Sequence, residues 1–244
     1  GVDQCKGLSE RYLGLGYRCL YVSRFGYLNS SFPDNASARL QAKAYSDMLD
    51  YLGIGSVYIF GNSAGSTSAL HFAIDSPEKC QGLILVSPNV PGNKKALPPR
   101  LFMSLIFGID FLYWPVIKLF GRYMLQMFVP VAVERALTKI QRGELIDEVF
   151  MASYPITRRT KGVLFDTYVS NPSINEGMAY DKIKSPALII HAVDDPAPPI
   201  EGARILSKKI MNSKFVPFQT GGHLILNHEN EIKDSIREFI CRKT

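Results

Sequence analysis

A serine at the centre of a Gly-x-Ser-x-Gly pattern, Ser63 in residues 61–65, is the first candidate for chemistry in this chain. The run 56–60 before it is rich in β-branched and aromatic residues and predicts a strand, and 66–75 after it predicts a helix. On such a strained strand–turn–helix the hydroxyl stands clear of the sheet and can act as a nucleophile. We expect both glycines to be required, because a Cβ at either position would collide with the neighbouring strand or helix.

A serine hydroxyl is a poor nucleophile by itself, so it needs a base within hydrogen-bond reach and a third group that orients the base. Two acids, Asp194 and Asp195, follow the apolar run 187–192, and His223 follows a later β-type run in a Gly-Gly-His loop. The carboxyl ends of parallel strands meet at one sheet edge, where ligands collect. The chain order predicts Ser63 as nucleophile, His223 as base and one of the two acids as the orienting group.

The other three histidines are interpreted as structural residues. His71 lies on the helix after the serine and is expected to pack or to face solvent. His191 ends a predicted strand, and His228 lies near the start of the final helix as a surface or capping residue. None of the three stands in a glycine-rich loop like that of His223.

The elements that position these residues alternate between apolar runs and amphipathic stretches, which predicts an α/β fold with a mostly parallel sheet flanked by helices. We assign residues 1–87 and 186–244 to this core, with strands predicted at 17–23, 56–60, 82–87, 187–192 and 214–218. Helices are predicted at 5–15, from 35 or 37 to 52, at 66–75, at 200–210 and at 230–240.

Residues 88–185 lack a convincing strand and are predicted to form a helical insertion between two sheet strands. Its helices are expected near 101–108, 110–128, 130–141, 143–152 and 159–169, with ends or kinks at Pro115, Pro130 and Pro155. The strongly apolar stretch 101–120 is interpreted as a buried or cleft-lining helix pair, and a membrane-surface role is the alternative. We favour packing within the insertion for the apolar side chains of 101–114, over contact with an apolar substrate.

Composition describes an ordinary globular chain, with 46% hydrophobic and 20% charged residues. Residues 91–185 hold 13 Lys and Arg against 8 Asp and Glu, which places +5 of the net charge of +6 there. No basic run is interleaved with aromatic residues, so a nucleic-acid partner is not predicted. The pairs Lys94-Lys95 and Arg158-Arg159 are expected to lie on the solvated surface.

Four scattered cysteines, with no Cys-x-x-Cys and no histidine at ligand spacing, predict reduced thiols and no zinc site. We predict no metal and no cofactor. Reduced thiols and the lack of a signal-peptide pattern favour a cytoplasmic location, although the first residues are uninformative. No uninterrupted apolar span of about 20 residues is present, so no transmembrane span is predicted.

The chain resembles the α/β-hydrolase family, of the large alpha/beta-hydrolase-1 type, over essentially its whole length. The matching motifs are residues 61–65, 187–199 and 221–223, and the loop 23–28 resembles one found in a bacterial subgroup. The resemblance implies that 88–185 is a cap, or lid, over the active site.

The family's acid motif, His-Gly-x-x-Asp-Pro, aligns with residues 191–196 and implies Asp195 as the acid, with Asp194 as the alternative. The backbone N–H of Ala64 would be one oxyanion-hole donor. The implied reaction is acyl transfer, in which Ser63 attacks a carbonyl and His223 moves the proton.

One part of the family pattern is missing. The His-Gly motif that would supply the second oxyanion donor does not occur in residues 1–60. We therefore expect the chain to start after that motif, without the strand between 17–23 and 56–60, and to be a fragment with little or no esterase turnover.

The predicted function is that of a serine hydrolase cleaving an ester or similar acyl bond of a small, fairly apolar molecule. Carbon–carbon bond hydrolysis and a cofactor-free peroxidase reaction are alternatives, because similar triads serve them. A non-catalytic ligand-binding protein is a further alternative, but it would not need all three of Ser63, Asp195 and His223. The substrate and the oligomeric state stay open.

Overall fold

The structure is a computed structural model, and it describes residues 1–92 and 96–241. Its centre is a parallel four-stranded sheet in which the strands neighbour one another in chain order. The strands are β1 (Val57–Asn62), β2 (Cys80–Val86), β3 (Ala187–Ala192) and β4 (Ser213–Phe218). The predicted α/β fold with a parallel sheet is confirmed.

Helices cover both faces of the sheet because the strand residues are apolar on both faces. Leu83 and Leu85 of β2 belong to one core cluster, and Ile84 and Val86 belong to the other. The first cluster is completed by α2 (Ala38–Tyr51), α3 (Gly65–Asp75) and α9 (Ile200–Lys209), and the second by α1 (Val2–Tyr12) and α10 (Glu229–Cys241). Helix α2 starts where the sequence predicts, since the Ser37 hydroxyl accepts a hydrogen bond from the N–H of Leu40 at 3.0 Å.

The strand predicted at 17–23 is wrong, because these residues have no strand conformation. A strand persists only where a neighbour satisfies its backbone groups. Within the described residues β1 pairs with β2 alone, and no strand pairs with residues 17–23. The aromatic and β-branched residues of 17–23 therefore predict a strand that the tertiary structure does not form.

Between β2 and β3 the described residues form helices and turns without a sheet strand, as the sequence predicts. The helices are α4 (Arg100–Gly108), α5 (Asp110–Leu125), α6 (Val131–Ala136), α7 (Lys139–Val149) and α8 (Thr160–Phe165). Short 3₁₀ or π turns lie between α7 and α8 at Met151–Ser153 and Ile156–Arg159, and after α8 at Asp166–Ser170, Pro172–Asn175 and Tyr180–Lys182. A further one at Gly222–Leu224 lies after β4. Pro115 lies inside α5 and does not end it, whereas Pro130 and Pro155 come directly before helical segments.

The insertion has its own apolar cluster, built from Tyr113, Ile117, Leu125, Phe150 and their neighbours. Helix α4 contains no buried residue, and most of the apolar residues of 101–114 face solvent. The predicted packing of this stripe inside the insertion is therefore wrong for these exposed side chains: Leu101, Phe102, Leu105, Phe111, Leu112 and Trp114. Only one side of each helix can reach the cluster.

Of the two basic pairs, one is corrected and one cannot be placed. Arg158 is exposed as predicted, but Arg159 is buried and pairs with the carboxylate of Asp3. The turn Ile156–Arg159 directs the Arg159 side chain inward, where the Pro155 carbonyl accepts a further hydrogen bond at 2.9 Å. The pair Lys94-Lys95 lies outside the described residues.

All four cysteines lie in the part of the chain that the structure describes, and none is in a disulfide. Among these residues, no single helix has both the length and the apolar composition to cross a membrane. The pair Arg100–Gly108 and Asp110–Leu125, bent by 97°, meets those two criteria only when it is taken together.

Candidate active site

The turn between β1 and α3 holds Ser63 in a left-handed conformation, with φ at +49°. Its N–H donates to the carbonyl of Val86 at 3.2 Å, so the turn is tied to the end of the neighbouring strand. A Cβ at Gly61 would lie 2.8 Å from the Ser66 Cα, and glycine is therefore required there. The same prediction is wrong for Gly65, where an added Cβ meets no atom within 4 Å.

The turn is stabilised by two polar residues that the sequence did not indicate, Ser66 and Asn89. The Ser63 carbonyl accepts hydrogen bonds from the Ser66 N–H at 3.0 Å, the Ser66 hydroxyl at 2.5 Å and the Asn89 N–H at 3.2 Å. The Asn89 side chain donates to Thr67 at 3.0 Å and to the Asn171 carbonyl at 2.9 Å. Asn89 therefore connects the turn to the insertion, and no spacing in the sequence signals this.

The loop after β4 folds back toward the sheet edge as predicted. Gly221 and Gly222 have φ of +115° and +63°, which residues with side chains rarely adopt. A Cβ at Gly222 would lie 2.5 Å from Pro130 and 2.6 Å from the Phe128 carbonyl, so the insertion presses directly on this loop. The Phe128 carbonyl also accepts the His223 N–H at 2.7 Å.

His223 lies between the serine and one of the two acids. Its Nε2 is 2.8 Å from the Ser63 Oγ, and its Nδ1 is 2.7 Å from an Asp195 carboxylate oxygen. His223 is 5% exposed and the Asp195 side chain is fully buried, while Ser63 is half-buried. The three predicted residues are therefore brought together, from three strand ends at one edge of the sheet.

The structure distinguishes the two acids that the sequence leaves open. The carboxylate of Asp195 faces the imidazole of His223 and also accepts the Ala197 N–H at 2.7 Å. The carboxylate of Asp194 instead accepts the backbone N–H groups of Gly222 at 2.9 Å and Gly221 at 3.3 Å. Asp194 thus holds the loop that carries the histidine and does not contact the histidine ring in any hydrogen bond of the described residues.

His191 lies beneath Asp195 as a fully buried residue. Its Nε2 is 3.1 Å from the Pro198 carbonyl and 3.5 Å from the Asp195 carboxylate. Burial lowers the pKa of His191, and the nearby Asp195 only partly offsets this. A neutral ring that donates to Pro198 fixes the turn after β3, which agrees with the predicted structural role.

The remaining two histidines lie away from the site. Burial lowers the pKa of His71, which is half-buried on α3. His228 stacks on Phe218 with ring centres 4.6 Å apart, and its Nδ1 is 3.4 Å from a Glu231 carboxylate oxygen. Neither has a hydrogen bond to Ser63 or Asp195 among the described contacts.

The insertion reaches the site through Phe128, whose ring centre is 5.7 Å from that of His223. On its other side Phe128 lines a cavity of about 210 Å³, together with Phe107, Tyr113 and Phe150. Tyr27 and Gln4 close the cavity from the core. Five of the thirteen residues that line the cavity are aromatic, and Phe128 connects it to His223.

A largely buried ion pair joins the loop 23–28 to the insertion. The Arg24 guanidinium binds both carboxylate oxygens of Asp166 at 2.5 Å, and the Tyr27 hydroxyl donates to the same carboxylate at 2.5 Å. Burial and the Asp166 charge raise the pKa of Tyr27 well above its ordinary value. Burial alone would lower the pKa of Arg24, but the Asp166 carboxylate outweighs it and raises that pKa.

The Ala64 N–H lies at the start of α3, where the first N–H groups of a helix have no intrahelical partner. Such a group and the helix dipole both favour negative charge beside Ser63. Across residues 1–92 and 96–241, no group of three or more His, Cys, Asp or Glu side chains could hold a metal ion. The arrangement is that of a serine hydroxyl, a hydrogen-bonded base and an orienting carboxylate at the edge of a parallel sheet.

The comparison with known families agrees with the fold. A family model described as alpha/beta hydrolase fold matches residues 4–227. The chain therefore belongs to the alpha/beta hydrolase fold family, as the sequence motifs predict, and is a hydrolase.

Relatives with assigned names are similar to this chain at low identity. The chain is 26% identical over 219 residues to a 2-hydroxy-6-oxononadienedioate/2-hydroxy-6-oxononatrienedioate hydrolase of Paraburkholderia phymatum, covering 88% of this chain and 73% of that protein. It is 25% identical over 241 residues to a hydrolase of the same name from Dechloromonas aromatica, covering 95% and 78%.

Solved structures share the fold. A meta-cleavage product hydrolase, CumD, which is from Pseudomonas fluorescens, superposes with a TM-score of 0.72 at 19% identity, covering 96% of this chain and 83% of that one. An esterase of Thermogutta terrifontis superposes with a TM-score of 0.67 at 18% identity, covering 98% and 83%. A protein named as a meta-cleavage product hydrolase and one named as an esterase thus share this fold.

Proposed function

We propose that this protein is a serine hydrolase that cleaves an ester or similar acyl bond of a small, fairly apolar molecule. Ser63 is the nucleophile, His223 the general base and acid, and Asp195 the group that orients the imidazole. The observation that carries the proposal is the pair of hydrogen bonds made by His223, 2.8 Å to Ser63 and 2.7 Å to Asp195.

In the proposed reaction the Ser63 Oγ attacks a carbonyl carbon while its proton passes to His223 Nε2. The imidazolium is stabilised by the buried Asp195 carboxylate on its other nitrogen. The oxygen that becomes negative lies near the Ala64 N–H at the start of α3. His223 then protonates the leaving group, and a water molecule, activated by the same base, cleaves the acyl-enzyme.

Residues 88–185 are proposed to act as the cap of this site. Phe128 contacts His223 from the insertion and also lines the cavity, which is proposed to hold the apolar part of a small substrate. Asn89 and the Arg24–Asp166 pair link the insertion to the core on either side.

Carbon–carbon bond hydrolysis is the second candidate, and the names of the relatives favour it. Both relatives described above are named as hydrolases of unsaturated 6-oxo dioic acids, which suggests a vinylogous keto acid as substrate. The same triad would serve this reaction. Product analysis separates the two functions, because the ester reaction releases an alcohol whereas the carbon–carbon reaction releases a shortened dienoate and an acid.

Labelling with a fluorophosphonate probe tests the shared part of both functions. We expect the probe to add to Ser63, identified by mass spectrometry of the labelled peptide. Ser63→Ala is expected to remove the label. Ser68→Ala, which replaces a serine of α3 whose hydroxyl donates to the Gly65 carbonyl and does not contact Ser63, is the matched control that keeps it. Labelling that persists in Ser63→Ala would contradict the assignment, and a folded protein that is never labelled favours the ligand-binding alternative.

A further inference from the structure

The outer surface of the bent helix pair α4–α5 is apolar to an unusual degree. Phe111 is 84% exposed and Trp114, the only tryptophan of the chain, is 51% exposed. We call this surface the α4–α5 face, and its exposed apolar side chains are Leu101, Phe102, Leu105, Ile109, Phe111, Leu112, Trp114, Leu119, Phe120 and Tyr123.

The helical spacing shows that exposed apolar residues of α5 lie opposite the buried side of the helix. In α5 the buried positions Tyr113, Ile117, Gly121 and Leu125 recur every fourth residue and define the inward side. The opposite side of a surface helix is ordinarily polar. Here it includes Leu112, Leu119 and Tyr123, at spacings of seven and four, which place their side chains on one outward face.

The extent and composition of the α4–α5 face indicate a partner. Soluble monomers rarely expose contiguous apolar patches of more than a few hundred Å², and larger ones mark interaction sites. The two helices meet at 97° and together have the apolar composition of a membrane-inserting segment. Tryptophan and tyrosine beside aliphatic side chains are typical of surfaces that lie in the boundary between water and lipid.

The charges of the same helices favour an anionic partner. Residues 100–125 contain Arg100, Lys118 and Arg122 but a single acid, Asp110, whose carboxylate accepts hydrogen bonds from Thr157. The basic side chains are about half exposed where they pair with neighbours: Lys118 lies 3.6 Å from Asp147, and Arg122 binds Glu134 at 2.9 Å. The whole stretch 91–185 carries +5 of the net charge.

A second copy of this chain fits the face less well than a lipid surface does. In a two-fold dimer the same patch would meet itself and bring two net positive helix pairs together. A bilayer with anionic headgroups would accept the apolar side chains among the acyl chains and the long basic side chains at the headgroups.

We propose that the α4–α5 face binds the surface of a lipid bilayer that contains anionic headgroups, with Phe111, Leu112 and Leu119 inserted beyond the headgroup level. The helices lie in the plane of the interface and do not span the bilayer. This proposal does not depend on which bond the site cleaves or on Ser63 being the nucleophile.

Trp114, the single tryptophan, lies one helical turn after Phe111 at the edge of the α4–α5 face and reports on the proposed contact. Phosphatidylcholine vesicles, with and without phosphatidylglycerol, are added to the full chain, and Trp114 emission is followed. We expect a blue shift that is larger with phosphatidylglycerol, and quenching by lipid brominated on the acyl chain. Lys118→Gln is expected to weaken binding to the anionic vesicles about fivefold, from the loss of one cation near the surface.

Paired variants locate the binding. Phe111→Ser and Leu119→Ser are each expected to weaken partitioning about tenfold, because each removes a large apolar side chain from the contact. Tyr51→Ser and Met211→Ser replace side chains that are each 90% exposed but lie outside the face, and they are expected to bind as the unaltered protein does. All four positions are exposed, and circular dichroism checks that each variant is folded.

Three results would overturn the proposal. The first is an absence of blue shift and bromine quenching with both vesicles. The second is equal partitioning of Phe111→Ser and Tyr51→Ser. The third is a concentration-dependent dimer in sedimentation velocity that Phe111→Ser abolishes without any vesicle binding, which would assign the face to a second copy of the chain.

Discussion

The sheet core and the helical insertion differ in how much of their apolar surface is buried. Every residue of β3 is buried, and both faces of the sheet are covered by helices. In the insertion, α4 has no buried residue. Other segments of the insertion pack on the core, because Ile174 and Tyr180 belong to the core cluster and Leu226 belongs to the cluster of the insertion. The Arg24–Asp166 pair adds a polar contact to this packing.

The two regions contribute different parts of the candidate site. Ser63, Asp195 and His223 all come from strand ends of the core, which hold them in register with one another. The insertion adds Phe128, the cavity that Phe128 lines and the apolar α4–α5 face. Substrate selection and surface binding are therefore expected to depend on the insertion, and proton transfer on the core.

The core part of the site is tested most sharply by replacing each of its two neighbouring acids with asparagine. Asp195→Asn is expected to lower kcat by about 10⁴-fold, because the amide no longer holds the correct histidine tautomer. Asp194→Asn is expected to lower it by about tenfold or less, because its amide oxygen can still accept the Gly222 N–H. Steady-state hydrolysis of one ester by both variants checks this. Equal losses would mean that the structure assigns the acids wrongly.

The ion pair that links the two regions should contribute more to the free energy of unfolding than an exposed ion pair does. Asp166→Ala leaves the buried Arg24 guanidinium and the Tyr27 hydroxyl without their partner, and we expect it to lower the free energy of unfolding by about 3–5 kcal/mol. Asp75→Ala removes an equally bidentate but exposed pair with Arg39, for an expected cost of about 0–1 kcal/mol. Denaturant unfolding measures both. Similar losses in the free energy of unfolding for the two variants would contradict a role of Asp166 in holding the insertion on the core.

The turn glycines give a smaller effect within the core. Gly61→Ala places a Cβ against backbone and is expected to cost about 1–3 kcal/mol of stability. Gly65→Ala enters open space at the start of α3 and should change stability by less than about 1 kcal/mol. Thermal unfolding of both variants compares them. A destabilised Gly65→Ala together with a tolerated Gly61→Ala would contradict the packing of this turn.

The smallest expected effect is a pH dependence from His191. Its folded-state pKa is below the ordinary value of about 6.5, so the unfolded chain binds the proton more readily. Stability should therefore fall as pH drops below about 6.5, by at most about 1.4 kcal/mol per pH unit for one proton. His191→Phe removes this slope, while His71 is common to both proteins and cancels. The slope is measured by denaturant unfolding at several pH values, and an unchanged slope in His191→Phe would refute the contribution.

Much of the core was accessible from the sequence because its local signals agree with its tertiary packing. The strand Ala187–Ala192 is found where it is predicted, and the Ser37 cap starts α2 as expected. Residues 17–23 show the limit, because strand propensity has no effect without a neighbour that pairs. In the insertion, the helix predicted at 130–141 is in fact two helices.

The signal for that break was present in the sequence. Thr138 and Gln141 form a reciprocal capping box, with hydrogen bonds of 3.2 and 2.9 Å, which starts α7. Other features had no local signal. The choice between Asp194 and Asp195 depends on the direction of two adjacent side chains, and the contacts of Asn89 and Asp166 join residues that are distant in the chain.

Ser63 is proposed to form a covalent acyl-enzyme with His223 as its base. An activated ester is mixed with the unaltered protein and with Ser63→Ala, and the mass of the intact protein is recorded at once, so that the acyl adduct is detected even where turnover is slow. The unaltered protein is expected to gain the mass of one acyl group on Ser63, and Ser63→Ala, which should keep its fold by circular dichroism, is expected to gain none. Equal acylation of the two proteins would contradict the proposal.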